Sequence, residues 1–243
     1  MSRSSNTEDK QQKNPAQKYL KWKSGSSQWK YWDKEEEKEV LLAANTPFIV
    51  LDVLSTATGF NDRKGCGVWA NEVRSLKLPL RLQDKDGEIM SGVWREIKDK
   101  VHYVKFASSV YAVINSASGY ELVNFQLSGS ALGSWIEFVD TLGGPRKLFG
   151  DVVVGVPEVK EGQTGSVRYN IPSYAVVKSE LSDEAKSAAT KADVELQSYL
   201  KSYFAASPEG KAAEEHNKDV ASYEAPKPTP APSAQFKNEE VPF

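Results

Sequence analysis

Cysteine and histidine are almost missing from this chain of 243 residues. Cys66 stands alone, so neither an internal disulfide nor a cysteine-built zinc site can form. His102 and His216 are the only histidines, which leaves little room for histidine-centred catalysis. Neither GxxxxGK[ST] nor HExxH occurs, so the phosphate loop and the helix-borne zinc site those patterns build are excluded. No apolar run approaches the roughly 18 residues a membrane-spanning helix needs. The opening MSRSSNTEDKQQKNPAQK is polar throughout and has no apolar signal-peptide core, so the expected location is cytoplasmic, with no membrane partner. Asp84-Lys85-Asp86-Gly87 is faintly like a calcium loop, but Ile89 stands where that loop needs its glycine, so the segment reads as a hairpin turn. No cofactor or metal is expected, and nothing supports an enzyme.

What the chain does have is a charge asymmetry hidden in a net charge of −2. Residues 1–34 carry eight Lys/Arg against three Asp/Glu, and residues 179–243 carry seven against twelve. A basic front and an acidic back suggest a partner of opposite sign for the front.

Hydrophobic patterning divides the chain into four parts. Residues 1–14 are polar and are expected to be disordered. Residues 15–178 are mostly short alternating or continuous apolar runs broken by Gly/Ser/Asn turns, the pattern of a small barrel or sandwich. KYLKWK and QWKYWD read as two strands, PFIVLDVL as a buried strand, and TATGFNDRKGCG as a loop. In YELVNFQL, Val123, Phe125 and Leu127 fall on one face, and Asn124, Gln126 and Ser128 on the other. Leu132, Trp135, Ile136 and Val139 have helical spacing. Residues 179–206 read as a helix capped by Ser182, with an apolar stripe at Leu196, Tyr199, Leu200 and Tyr203. Residues 207–243 read as a flexible acidic tail stiffened by prolines 226, 228, 230 and 232.

The chemistry lies in aromatics interleaved with cations. Trp22, Trp29, Tyr31 and Trp32 alternate with Lys21, Lys23 and Lys30, and no acidic residue occurs between Pro15 and Trp32. Aromatic faces stack on unpaired bases while lysines follow phosphates. Arg63, Lys64, Trp69 and Arg74 form a second cluster around a glycine-containing loop, and Tyr103 with Lys105 a third. Strand parity puts Lys30 and Trp32 on the face opposite Trp29 and Tyr31. Trp32, Trp69 and Tyr103 are therefore the expected stacking residues, and the lysines and arginines the phosphate contacts. The last residues, Glu239, Glu240, Val241, Pro242 and Phe243, are suited to capture by a partner: a terminal ring fills an apolar pocket and carboxylates meet basic groups.

That tip, FKNEEVPF, resembles the acidic tip of bacterial single-stranded-DNA-binding proteins, with two glutamates in place of the usual aspartate run. The stretches NPAQKYLKWKSG, WKYWDKE, PFIVLDVLSTATGF, GVWANEVR, REIKDKV and ELVNFQLSGSALGSWIEF resemble a phage family of single-stranded-DNA-binding proteins over about residues 14–140. The resemblance implies an OB-fold-like β-barrel with added hairpins, one or two short helices and a C-terminal helix. It also implies coating of single-stranded DNA without strong sequence preference during phage replication, recombination and repair. The tip would recruit host or phage replication and repair proteins. The competing readings are a protein–protein adaptor and a nucleic-acid-processing enzyme. Patterning alone leaves barrel and sandwich equally open and does not reach the oligomeric state.

Overall fold

The computed structural model describes residues 13–206, which are mainly β with a C-terminal helix. The strands are β1 (Lys18–Lys23), β2 (Gln28–Asp33), β3 (Lys38–Ala43), β4 (Phe48–Asn61), β5 (Cys66–Ala70), β6 (Leu80–Asp84) and β7 (Gly87–Gly92), followed by β8 (Val104–Ser116), β9 (Gly119–Ser128), β10 (Val153–Thr164) and β11 (Val167–Lys178). The α-helices are α1 (Trp94–Ile97), α2 (Gly129–Thr141) and α3 (Asp183–Ala206), with a 3-10 turn at Pro145–Phe149.

Hydrogen bonding joins the strands in the order β3-β2-β1-β9-β8-β4-β5-β6-β7, with β10 and β11 branching from β4. The path is open: its end strands, β3 and β7, do not pair. The β-rich architecture matches the patterning, whereas the closed barrel implied by the resemblance is not formed. β1 is parallel to β9, pairing Lys18–Leu20 with Val123–Phe125, while Lys21–Lys23 pair antiparallel with β2.

β4 is the spine of the sheet. It runs on through TATGFN, because β8 and β5 flank that stretch and satisfy its backbone on both sides. The expected loop over 56–67 therefore shrinks to residues 62–65, and Cys66 is a buried strand residue rather than a loop residue. β8 runs without a break from Val104 to Ser116.

The central sheet has two covered faces. On one, Phe48, Val110 and Phe125 pack with Trp135 of α2, Val154 of β10 and Tyr174 of β11. On the other, Leu54 and Tyr111 pack with Leu196, Tyr199 and Leu200 of α3, and Ile49 and Val113 with Ala185 and Ala189. A bulge between Val50 and Asp52 lets Ile49 and Asp52 serve the same face despite their odd spacing. Beyond the helix, β5, β6, β7 and α1 close a separate apolar cluster around Ala57, Val68, Leu82 and Ile97.

The expected cap of α3 is present: Ala185 N–H donates to Ser182 Oγ at 3.2 Å. Its far end is tied down by polar contacts. Tyr203 OH accepts the Glu72 backbone N–H at 2.8 Å, Gln197 donates to Asp52 at 3.4 Å, and the Arg74 guanidinium lies 5.1 Å over the Phe204 ring. Glu72 turns its carboxylate inward, where Tyr111 OH donates at 2.7 Å and Ser109 Oγ also donates. Asn14 joins this layer, donating to Tyr19 OH at 2.8 Å and Tyr111 OH at 2.9 Å. Asn14, at the end of the stretch expected to be disordered, is held in place, and residues 1–12 of that stretch lie outside the described residues.

Two outcomes follow. A Cβ at Gly59 would lie 2.2 Å from the Tyr103 carbonyl oxygen, a backbone atom that cannot swing aside. Gly59→Ala is expected to cost about 1–3 kcal/mol of stability by overpacking, read as a lowered urea midpoint. Burial holds the Glu72 carboxyl above its ordinary value of 4.5. Between those two values the folded chain keeps a proton that the unfolded chain has lost, so stability falls as pH rises through that window. Urea melts across pH 4–8 are expected to show this decline in the native protein and to lose Glu72's contribution to it in Glu72→Gln.

Candidate nucleic-acid interface

The first cluster is sorted by the pleat. Trp22 is in register with Trp29 across β1 and β2, and Lys21 with Lys30. The tryptophan pair faces the core: the rings meet edge-on at 5.0 Å, and Trp29 also meets Phe125 at 4.8 Å. Trp29 is fully buried and donates its indole N–H to the Ala44 carbonyl at 3.2 Å, while Trp22 donates to Asn170 at 2.8 Å. Tyr31 is buried on the same side. Of these three expected DNA contacts, Trp29 and Tyr31 are thus core residues, corrected by their burial, and Trp22 is half-buried against the same core. Lys21, Lys23, Lys30 and Trp32 take the other face, where Trp32 is 61% exposed.

A groove of about 350 Å³ opens between β1 and β2, lined by Tyr19, Lys21, Lys30, Trp32 and Gln126 among others. Its origin is the change of partner along β1. The first half of the strand bonds to β9 and the second half to β2, so β2 diverges from β1 beyond Lys30. Glu39 of β3 reaches across this face to Lys23 at 2.5 Å and Lys30 at 2.8 Å. Hydrogen bonds from those two ammonium groups bring the Glu39 carboxyl down to about 2. Lys21 has no carboxylate partner among the described residues. Desolvation, then the charge of Lys30, lowers its pKa.

The second and third clusters come together on β4, β5 and β8. Thr58 pairs with Lys105 on one side and Trp69 on the other, so Lys105, Thr58 and Trp69 form one cross-strand row. Trp69 is 48% exposed and Phe60, two residues along β4, is 53% exposed. Tyr103 lies exposed just before β8, its carbonyl accepting the Phe60 N–H at 3.4 Å. Lys105 is exposed and has no ion-pair partner among the described residues.

Three expected phosphate contacts fare differently. Lys64 is held by Asp84 at 2.8 Å and Asp86 at 2.9 Å, which raise its pKa; the calcium-like segment is a hairpin turn that binds this ammonium. Arg74 is 3.2 Å from Asp52 and stacks on Phe204, so it anchors α3. Arg63 is exposed at the tip of the β4–β5 turn.

Register shows that the two aromatic centres share a face. Tyr19 pairs with Asn124, Asn124 with Tyr111, and Tyr111 with Asp52. Lys105 is six residues from Tyr111 and Thr58 six from Asp52, both even steps along unshifted strands. Tyr19, Lys21, Lys105 and Trp69 therefore all point to the side of the sheet that α3 covers only in part. Tyr19 and Phe60 are absent from the sequence-based set. Alternation with buried Leu20 marks Tyr19, whereas Phe60 lies in the stretch read as a loop. Glu239, Glu240, Val241, Pro242 and Phe243 lie outside the described residues.

Among the described residues no helix is long and apolar enough to cross a membrane, and no three His, Cys, Asp or Glu side chains gather to hold a metal ion. Compared with protein-family models, with curated proteins and with solved structures, the chain gives no match.

Proposed function

We propose that this protein binds single-stranded DNA on the outer face of its sheet, without catalysing a reaction. The observation that carries the reading is the exposed face on which Trp32 and Trp69 stand beside Lys21, Lys30 and Lys105. An exposed tryptophan has no packing role there, and a base stacked on it contributes about 1–3 kcal/mol. Lysines supply the sequence-independent attraction to phosphate. Stacking needs an unpaired base face, which a duplex withholds. Such a protein would coat single strands during phage DNA replication, recombination and repair in the host cytoplasm. Its tip, Glu239–Phe243, would recruit replication and repair proteins. The acidic tail would compete with DNA for the lysines.

The test is a tryptophan-quenching titration with single-stranded and duplex oligonucleotides at two salt concentrations. Quenching selective for the single strand, weakening with salt, is expected; equal affinity for duplex contradicts stacking. Glu39→Gln frees Lys23 and Lys30 and is expected to tighten single-strand binding several-fold at low salt, with the gain shrinking as salt rises. Unchanged affinity in that variant would remove the two lysines from the contact surface. Deleting residues 235–243 is expected to raise affinity at low salt, and no change would count against competition by the tail.

A further inference from the structure

The two exposed aromatic centres are far apart, and their spacing sets a length requirement on the ligand. From Tyr19 to Trp69 the register passes through β9, β8, β4 and β5, four interstrand steps, about 19 Å at roughly 4.8 Å each. The same register displaces Trp69 from Tyr19 by six residues along β8, from Tyr111 to Lys105, about 20 Å at roughly 3.3 Å per residue. The diagonal is about 28 Å. Gln126 and Ser128 of β9 lie between the centres, half-buried, and Lys105 stands next to the second. On β8 and β4 the residues between the centres, Ala107, Ser109 and Thr56, are buried, so a strand joining the centres crosses over the Glu72 segment that bonds Ser109, and among the described residues no third exposed ring stands on that path.

We infer that the sheet face is a two-centre site, in which one single strand stacks a base at Trp32 and Tyr19 and another at Trp69 and Phe60, crossing the β-strands diagonally. The inference rests on the single-strand reading above and adds the geometry of engagement. At the stacked rise of about 3.4 Å per nucleotide, about eight nucleotides span 28 Å, and fewer suffice where bases are splayed. That falls within the roughly 4–16 nucleotides known for single-strand-binding modules. An oligonucleotide too short to span occupies one centre or the other. One that spans gains the second contact as an intramolecular event.

The consequence separates two-centre from one-centre binding. The full chain and its Trp32→Ala and Trp69→Ala variants are titrated with dT4 and dT12, using end-labelled oligonucleotides and anisotropy. For dT12, each variant is expected to lose about 5- to 150-fold in affinity, the worth of one stacked base. For dT4, each is expected to lose no more than about two-fold, since the other centre remains. Trp32→Phe and Trp69→Phe keep a stacking face and are expected to retain most of the dT12 affinity. Because both tryptophans are exposed, unfolding is not the expected cause of any loss, and melting curves check this. If one variant abolishes binding of both lengths while the other changes neither, there is a single centre and the inference fails, with single-strand binding intact. If the native chain binds neither oligonucleotide, the function proposed above fails as well.

Discussion

The pairing of Trp22 with Trp29 across β1 and β2 is the contact on which the outer surface depends. Both rings lie on the core side, one of them fully buried against Phe125. The side-chain period of a strand is two, so burying Trp22 and Trp29 forces Lys21, Lys23, Lys30 and Trp32 outward together. A slip of one residue would bury four cations or ring edges and expose the core tryptophans. The hydrophobic demand of two indoles thus fixes the position of the lysines, although no lysine contributes to that packing.

The sheet's other constraint is polar. Glu72 gathers hydroxyls from Tyr111 and Ser109, and its own N–H reaches Tyr203 of α3. These bonds offset the cost of turning a carboxylate away from water. Together with the Arg74 contacts to Asp52 and Phe204, they settle where α3 rests on the sheet. The helix covers Leu54 and Tyr111 and leaves Lys105, Thr58 and Trp69 outside. A face that could have been wholly buried is divided into a packed half and an open half.

Charge in the open half is graded by partner. Lys23 and Lys30 share Glu39, Lys64 is held between two aspartates, and Lys21 and Lys105 face no carboxylate among the described residues. An exposed ion pair is worth little and is screened by salt, so Glu39 moderates its two lysines without removing them. A polyanion lying on this face would meet Lys21 and Lys105 directly and would compete with Glu39 for the other two.

Local sequence determined much of this protein. Alternation marked Val123, Phe125 and Leu127 as core and Trp32 as outward, and the Ser182 cap and the Leu196–Tyr203 stripe defined α3. These are short-range properties, set by pleat and helical period. Sequence could not rank Lys64 and Arg74 below Lys21 and Lys105, because their carboxylate partners lie 20 to 22 residues away. It could not extend β4 through TATGFN, since that stretch is a strand only because β5 and β8 flank it. Nor could it join the clusters at Trp32 and Trp69, which meet on one face through the register of β1, β9, β8, β4 and β5. Composition and period act over a few residues; strand pairing alone decides which distant side chains share a surface and which are already held.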